Sequence, residues 1–201
     1  MTIDGSRLVA LIDAHQRFLL TSHVRPDCDS LGSELAMAGV LEALGKQVRI
    51  VNADPVPDHL GFIDRGHRIE SLSQGATVGA LTQDDVVIVL DTSSWNQLGP
   101  IGDVLRPTAA KLAVIDHHVG GDGLSAERFV DSTAESTGRL IVEAAGALGV
   151  ELQPEWARAL FVAMATDSGW FRFSSVGGDV SRRGPVDRCG RETGGTLPIA
   201  L

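Results

Sequence analysis

The sequence predicts an α/β protein: a parallel sheet with helices on both faces, followed by an irregular C-terminal tail. Short apolar runs alternate with segments of helical period, and such alternation builds β-α-β units with right-handed crossovers. The run Asp84–Leu90 (DDVVIVL) is almost continuously β-branched, the pattern of a strand buried on both faces. Three of the predicted strands also end directly on a histidine or an aspartate.

Taken in order, Ser6–His15 reads as a short helix with Leu8, Leu11 and Ile12 on one face. Arg17–Ser22 (RFLLTS) reads as a buried strand. Ser30–Leu44 has Leu31, Leu35, Met37, Ala38, Leu41 and Leu44 at roughly helical spacing, with Gly45 as a stop. Lys46–Val51 (KQVRIV) is the next strand and completes a β-α-β unit. Pro55–Glu70 reads as irregular, with a short helix around Asp58–Ile63. After Asp84–Leu90, a loop or short helix runs through Gly102–Leu105. Lys111–Ile115 (KLAVI) is another central strand, and Arg128–Val130 a short one. Ser132 and Glu135 have capping-box spacing ahead of the apolar run Leu140–Leu148. Pro154–Thr166 is a further helix with proline near its start, and Trp170–Phe173 reads as extended.

Composition bounds the function. The 201 residues are 43% apolar and 21% charged, which is ordinary globular usage and argues against disorder. A net charge of −9 lacks the basic footprint of a duplex-DNA binder and fits a site crowded with carboxylates that await cations. No apolar run approaches ~18 residues, so no membrane span is expected. The N-terminus carries Asp4 and no basic segment ahead of an apolar core, which reads as no signal peptide. Cys28 and Cys189 are too few for a disulfide framework, making the cytoplasm the expected compartment. Residues 177–201 differ from the rest: they hold 6 of the 23 glycines and carry four arginines.

The polar strand ends locate the chemistry. RFLLTS runs into His23, DVVIVL into Asp91, and KLAVI into Asp116-His117-His118. Open parallel sheets bind ligands beyond the carboxyl ends of their strands. Asp27 and Asp29, spaced by two, would face one way in an extended segment, and Asp167 sits where the last helix stops. Mixed imidazole and carboxylate ligands suit Mn²⁺, Mg²⁺, Zn²⁺ or Fe²⁺, and no thiolate cluster favours structural zinc. So many carboxylates would repel and stay partly protonated without cations, and two metals sharing a bridging carboxylate would relieve this. A two-metal site generates hydroxide at neutral pH and stabilises both attacking and leaving oxygens in phosphoryl transfer.

Four segments carry a family resemblance. HVRPDCDSLGS (23–33) looks like the first motif of the DHH superfamily, and VVIVLDTSSWNQLG (86–99) resembles the second. VIDHH (114–118) matches the third, and MATDSGWFRFS (164–174) is similar to the fourth. The branch most resembled is that of bacterial oligoribonucleases and 3′-phosphoadenosine 5′-phosphate phosphatases, related to RecJ-type exonucleases. The resemblance implies a DHH catalytic domain over residues 1–176 and two divalent cations, usually Mn²⁺, with Mg²⁺ or Co²⁺ as alternatives. Carried over by position, His23 and Asp27 would hold one metal, and Asp29, His117 and Asp167 the other, with Asp91 bridging. His118 would contact the scissile phosphate, Asp116 would orient an imidazole, and Arg172 would clamp phosphate. Expected substrates are short single-stranded RNA or small nucleotides. The implied activity is that of a metal-dependent phosphoesterase with a two-metal-activated hydroxide. Alternatives are a shortened, catalytically weak metal-binding remnant and, ranked lower, an inorganic pyrophosphatase.

Two departures from the family pattern stand out. Asn96-Gln97-Leu98-Gly99 lies where the branch commonly carries an arginine. From Gly177 the tail stands where a second, substrate-binding domain is expected, and the shift reads as a truncation or reading-frame change. Other features take plainer readings. Ser30 reads as a helix-capping residue rather than a nucleophile, for want of a G-x-S-x-G elbow. Gly121-Asp122-Gly123 imitates a dinucleotide fingerprint without the helix that should open there. His15, His59 and His67 belong to no constellation, and Trp95, Trp156 and Trp170 read as core or partly buried aromatics, Trp170 also as a residue of the cleft.

Overall fold

The computed structural model describes residues 3–172. Phe173 and the glycine- and arginine-rich segment 177–201 lie outside those residues. Six strands form one sheet: β1 (Arg17–Thr21), β2 (Gln47–Asn52), β3 (Ile69–Ser71), β4 (Asp85–Leu90), β5 (Lys111–Asp116) and β6 (Glu127–Val130). Their spatial order is β3-β2-β1-β4-β5-β6, with every neighbouring pair parallel. The chain first winds outward from β1 to β3, then restarts at β4 beside β1 and winds the other way. That reversal places a crevice at the carboxyl ends of β1 and β4, where a doubly wound sheet binds its ligands.

Strand periodicity divides the core into two layers. Val86, Ile88 and Leu90 pack into one cluster with helices α1 (Gly5–Asp13), α2 (Cys28–Ala43), α5 (Thr137–Ala147) and α6 (Pro154–Asp167). Val87 and Val89 pack into the other with the short helices α3 (Trp95–Leu98) and α4 (Pro100–Leu105). All six β4 side chains are buried, as their apolar run requires.

α2 is buried nearly all round because α6 packs directly across it. Two glycines permit the close approach. A Cβ on Gly39 would fall within the Trp156 ring, and one on Gly32 would lie 2.6 Å from the carbonyl oxygen of Ala159. The second clash is with backbone, so α6 as a whole would have to shift. We expect Gly32→Ala to destabilise by about 1–3 kcal/mol. It should also weaken metal binding, because α6 carries Asp167. Thermal unfolding checks the first effect and Mn²⁺ calorimetry the second.

Several local expectations need correction. Asp27 and Asp29 do not lie in an extended segment. Asp27 is the N-cap of α2 and Asp29 stands in its first turn, because Asp27 Oδ1 accepts from the Asp29 and Ser30 amides. Ser30 completes a capping box, its Oγ accepting from the Asp27 amide. The fifth helix is capped by Ser136, which accepts from the Arg139 amide, rather than by Ser132 and Glu135. The end of the segment read as irregular, Ile69 and Glu70, joins Ser71 in a strand at the sheet edge beside β2. Trp170 and Phe171 are not extended: both have left-handed φ, 60° and 63°, in a turn after α6. Among the described residues, no helix is long and apolar enough to cross a membrane.

Candidate metal centre

Each strand that aims at the crevice delivers polar groups to it: β1 runs into His23, β4 into Asp91, and β5 into His117 and His118. β4 ends on Asp91, whose φ of 63° turns the chain sharply at the sheet edge. Aspartate tolerates this left-handed region better than most residues. The Asp91 amide still donates to the Ile115 carbonyl at 3.0 Å, so the strand pairing holds up to the turn. Asp91 lies between two histidines, with Oδ2 at 3.4 Å from His23 Nε2 and Oδ1 at 3.7 Å from His117 Nε2.

Two groups form around it. On one side are His23, Asp27 and Asp91; on the other, Asp29, His117 and Asp167. Within each group the potential ligand atoms lie within 4.8 Å of one another. A third overlapping set contains Asp91, His117 and His118. The structure therefore brings together all six residues expected to hold metal, together with His118. Arg172 is exposed, and no hydrogen bond or ion pair ties it to this cluster among the described residues. Trp170 is 70% exposed, more open than a core aromatic.

The imidazoles are oriented from behind. His23 Nδ1 donates to the Val24 carbonyl at 2.9 Å, and His117 Nδ1 to the Ala134 carbonyl at 3.2 Å. A carbonyl only accepts, so Nδ1 carries a proton in each ring, and Nε2, which faces the carboxylates, offers its lone pair whenever the ring is neutral. His117 Nε2 is buried and makes no hydrogen bond among the described residues. Among the described residues this orphaned acceptor, ringed by carboxylate oxygens at 3.5 to 3.8 Å, has no positive partner, and a divalent cation would supply one. The donor set fits such an ion.

The carboxylates are strained electrostatically. Burial raises the Asp29 carboxyl well above its usual range, and neighbouring Asp91 adds to this, against amide donation from Gly138 and Thr137. Burial also raises Asp167, with His117 opposing. Burial works against charge on His23, yet the Asp91 carboxylate and the Val24 carbonyl outweigh it and push His23 up to about 9. Cations would remove this competition between protons and charge repulsion.

Asp116 serves a different task. Its Oδ1 accepts from His118 Nδ1 at 2.8 Å and from the His118 amide at 3.0 Å. Its Oδ2 accepts from Ser93 Oγ at 2.5 Å. Burial alone would raise Asp116, but the bonds from His118 and Ser93 hold it below the usual carboxylate range. The same contact raises His118, whose half-exposed ring keeps its Nε2 for other partners.

Comparison with known proteins now defines the family. The model of the DHH family N-terminal domain matches residues 17–164. The chain belongs to the DHH family. Over 167 residues this DHH chain is 29% identical to the bifunctional oligoribonuclease and PAP phosphatase NrnA of Thermus thermophilus, covering 81% of this chain and 47% of that protein. It thus spans about half the length of the relative. The crystal structure of an exopolyphosphatase-related protein from Bacteroides fragilis superposes with a TM-score of 0.78 at 21% identity, covering 85% of this chain and 52% of that one. RecJ from Thermus thermophilus, solved in complex with Mn²⁺, superposes with a TM-score of 0.53 at 16% identity, covering 87% of this chain and 26% of that one.

Sequence reading missed the supports of this DHH site. Thr137 and Gly138 at the start of α5 donate their amides to Asp29 at 2.7 and 2.8 Å, and Thr137 Oγ1 donates to Asp91 at 2.8 Å. A helix N-terminus thereby holds the buried carboxylate through its free amides and dipole. The Ser-Thr-Gly at 136–138 was the available signal, and the capping pattern at Ser132 competes with it.

Proposed function

We propose that this DHH domain carries the catalytic centre of a divalent-metal-dependent phosphoesterase acting on short oligoribonucleotides or small nucleotides such as 3′-phosphoadenosine 5′-phosphate. The observation that carries the reading is the buried, unpartnered His117 Nε2 facing Asp29, Asp91 and Asp167, with a matching His23–Asp27 pair across Asp91. His23, Asp27 and Asp91 would hold one ion, and Asp29, His117 and Asp167 the second, with Asp91 shared. Mn²⁺ is the ion we favour, in keeping with the mixed donor set and with the Mn²⁺ in the RecJ structure. Two such ions, when bound, would supply an activated water at neutral pH and positive charge for the phosphoryl oxygens.

The remaining roles belong to the chain itself. Asp116 orients the His118 ring through Nδ1 and favours its charged form, so that Nε2 would meet the substrate phosphate as a cationic donor. Thr137 and Gly138 hold Asp29 in place. The name of the Thermus relative supports the substrate class. An acidic chain also fits small substrates better than long duplexes.

The test combines Mn²⁺ calorimetry with hydrolysis of bis-p-nitrophenyl phosphate, a labelled RNA dinucleotide and pyrophosphate. We expect Mn²⁺ binding and turnover of the dinucleotide, both lost in Asp91→Asn. Mn²⁺ binding with negligible turnover would favour the metal-binding remnant, since substrate positioning supplies roughly 7–11 kcal/mol of a barrier. Preference for pyrophosphate would replace the nucleotide reading, and no Mn²⁺ binding would refute it.

A further inference from the structure

Among the described residues, one cation beside the proposed centre, Arg128, makes no ion pair. Arg128, on β6, donates from Nη2 to Ser93 Oγ at 3.1 Å and to the Gly120 carbonyl at 3.4 Å. Ser93 in turn donates to Asp116, which holds His118. Three hydrogen bonds in series thus connect Arg128 to His118. Among the described residues Arg128 has no ion pair, and its Nη1 and Nε make no hydrogen bond. Both of these hydrogen-bond partners are neutral, and among the described residues only one end of the guanidinium is held.

The adjoining loop is shaped around it. Gly120, Gly121 and Gly123 have positive φ and are exposed. A Cβ on Gly121 would lie 3.0 Å from the Ser93 carbonyl oxygen and 3.5 Å from Arg128 Nη1, so only glycine lets the loop close this tightly. Asp122 is the nearby acid in the loop, and its carboxylate is committed elsewhere. It accepts from Ser94 Oγ at 2.8 Å, the Trp95 amide at 2.6 Å and the Asn96 amide at 3.0 Å. This anchors the loop to the start of α3, and among the described residues no ion pair joins Asp122 to Arg128.

We propose that Arg128 and the 120–123 loop form a phosphate subsite, which takes a second phosphate group of a nucleotide substrate. The inference rests on the phosphoesterase reading above. A guanidinium presents a planar fork that matches phosphate oxygens in a bidentate way, and exposed glycines let a ligand approach the backbone closely. Ser93 and Asp116 stand between Arg128 and His118, which sets the subsite apart from the scissile phosphate.

The test measures calorimetric binding of adenosine 3′,5′-bisphosphate and of AMP, each with Mn²⁺, to wild type, Arg128→Lys and Arg128→Ala. Turnover of bis-p-nitrophenyl phosphate, which has a single phosphate, is followed against pH in parallel. Arg128→Ala should weaken the bisphosphate by about 10- to 100-fold, the worth of a charged hydrogen-bonded pair. AMP binding and bis-p-nitrophenyl phosphate turnover should stay within about twofold, and Arg128→Lys should recover part of the loss. Equal weakening of both nucleotides overturns the subsite. So does a displaced pH profile for the chromogenic ester, which would mean that Arg128 acts through Ser93 and Asp116 on His118. Bisphosphate binding that Arg128→Ala leaves intact overturns the subsite alone. Wild type that binds neither nucleotide overturns the phosphoesterase reading as well.

Discussion

Asp91→Asn should abolish Mn²⁺-dependent phosphoester hydrolysis while leaving the fold intact. Asparagine is among the few residues that accept the left-handed backbone of this position, so the turn after β4 survives the change. Its amide also preserves an oxygen for Thr137 Oγ1. What goes is the negative charge between His23 and His117, the charge that two cations would share. Loss of several kcal/mol of charge stabilisation corresponds to a rate loss on the order of 10³-fold or more. A stability assay separates this from unfolding. Mn²⁺ at about 100 times its Kd stabilises wild type by about 2.7 kcal/mol, which raises Tm by roughly 5–10 °C in a chain of this size. In Asp91→Asn that metal-induced rise should vanish. The metal-free Tm should move little, because relief of repulsion on Asp29 and Asp167 opposes loss of the attraction to His23. A retained Mn²⁺ shift would refute the role given to Asp91.

The metal-free protein should lose stability as pH rises from about 6 to 9. Glu34 makes the clearest contribution. It is wholly buried in α2, and burial pushes its carboxyl up to about 8, although Asn52 Nδ2 donates to Oε2 at 2.9 Å. A folded pKa above the unfolded value means that the native state binds more protons. The stabilisation is complete at low pH, below the unfolded carboxylate value, and is lost as pH climbs through about 8. His23, raised to about 9, has the same sign: its contribution is full below the ordinary imidazole value and lost through about 9. Asp116, held low despite its burial, has the opposite sign and acts only in the acid range, where protonation removes its bonds to His118 and Ser93. The expected decline is a few kcal/mol, as a shift of this size in a buried group implies. Glu34→Gln keeps an oxygen for Asn52 and cannot ionise. Its stability should fall less steeply between pH 6 and 9, and it should exceed wild type at pH 9. Denaturant unfolding without metal at both pH values checks this, and parallel wild-type and variant curves would disprove it.

Legibility tracked the range of each signal. The β-branched run at 85–90 and the alternating apolar helices depend on neighbours in sequence, so the parallel sheet could be read from the residues alone. The short edge strand at 69–71 could not, because it owes its conformation to pairing with β2 rather than to its own residues, Ile-Glu-Ser. The extended reading of Trp170 and Phe171 failed for a related reason. Aromatic residues favour strands, but here the chain turns directly after α6.

The polar residue ending each apolar run was equally plain in the sequence, since a parallel strand must release its chain at the sheet edge. Which histidine meets which carboxylate was a matter of tertiary packing. Asp29 lies 108 positions from Thr137, and only the crossing of α2 and α5 over the sheet brings the amide to the carboxylate. The bond from Arg128 to Ser93 likewise joins residues 35 positions apart, with α3, α4 and β5 between them in the chain. Burial decides the charge states of Asp29 and Glu34, and burial is a property of the assembled core, invisible in any local pattern.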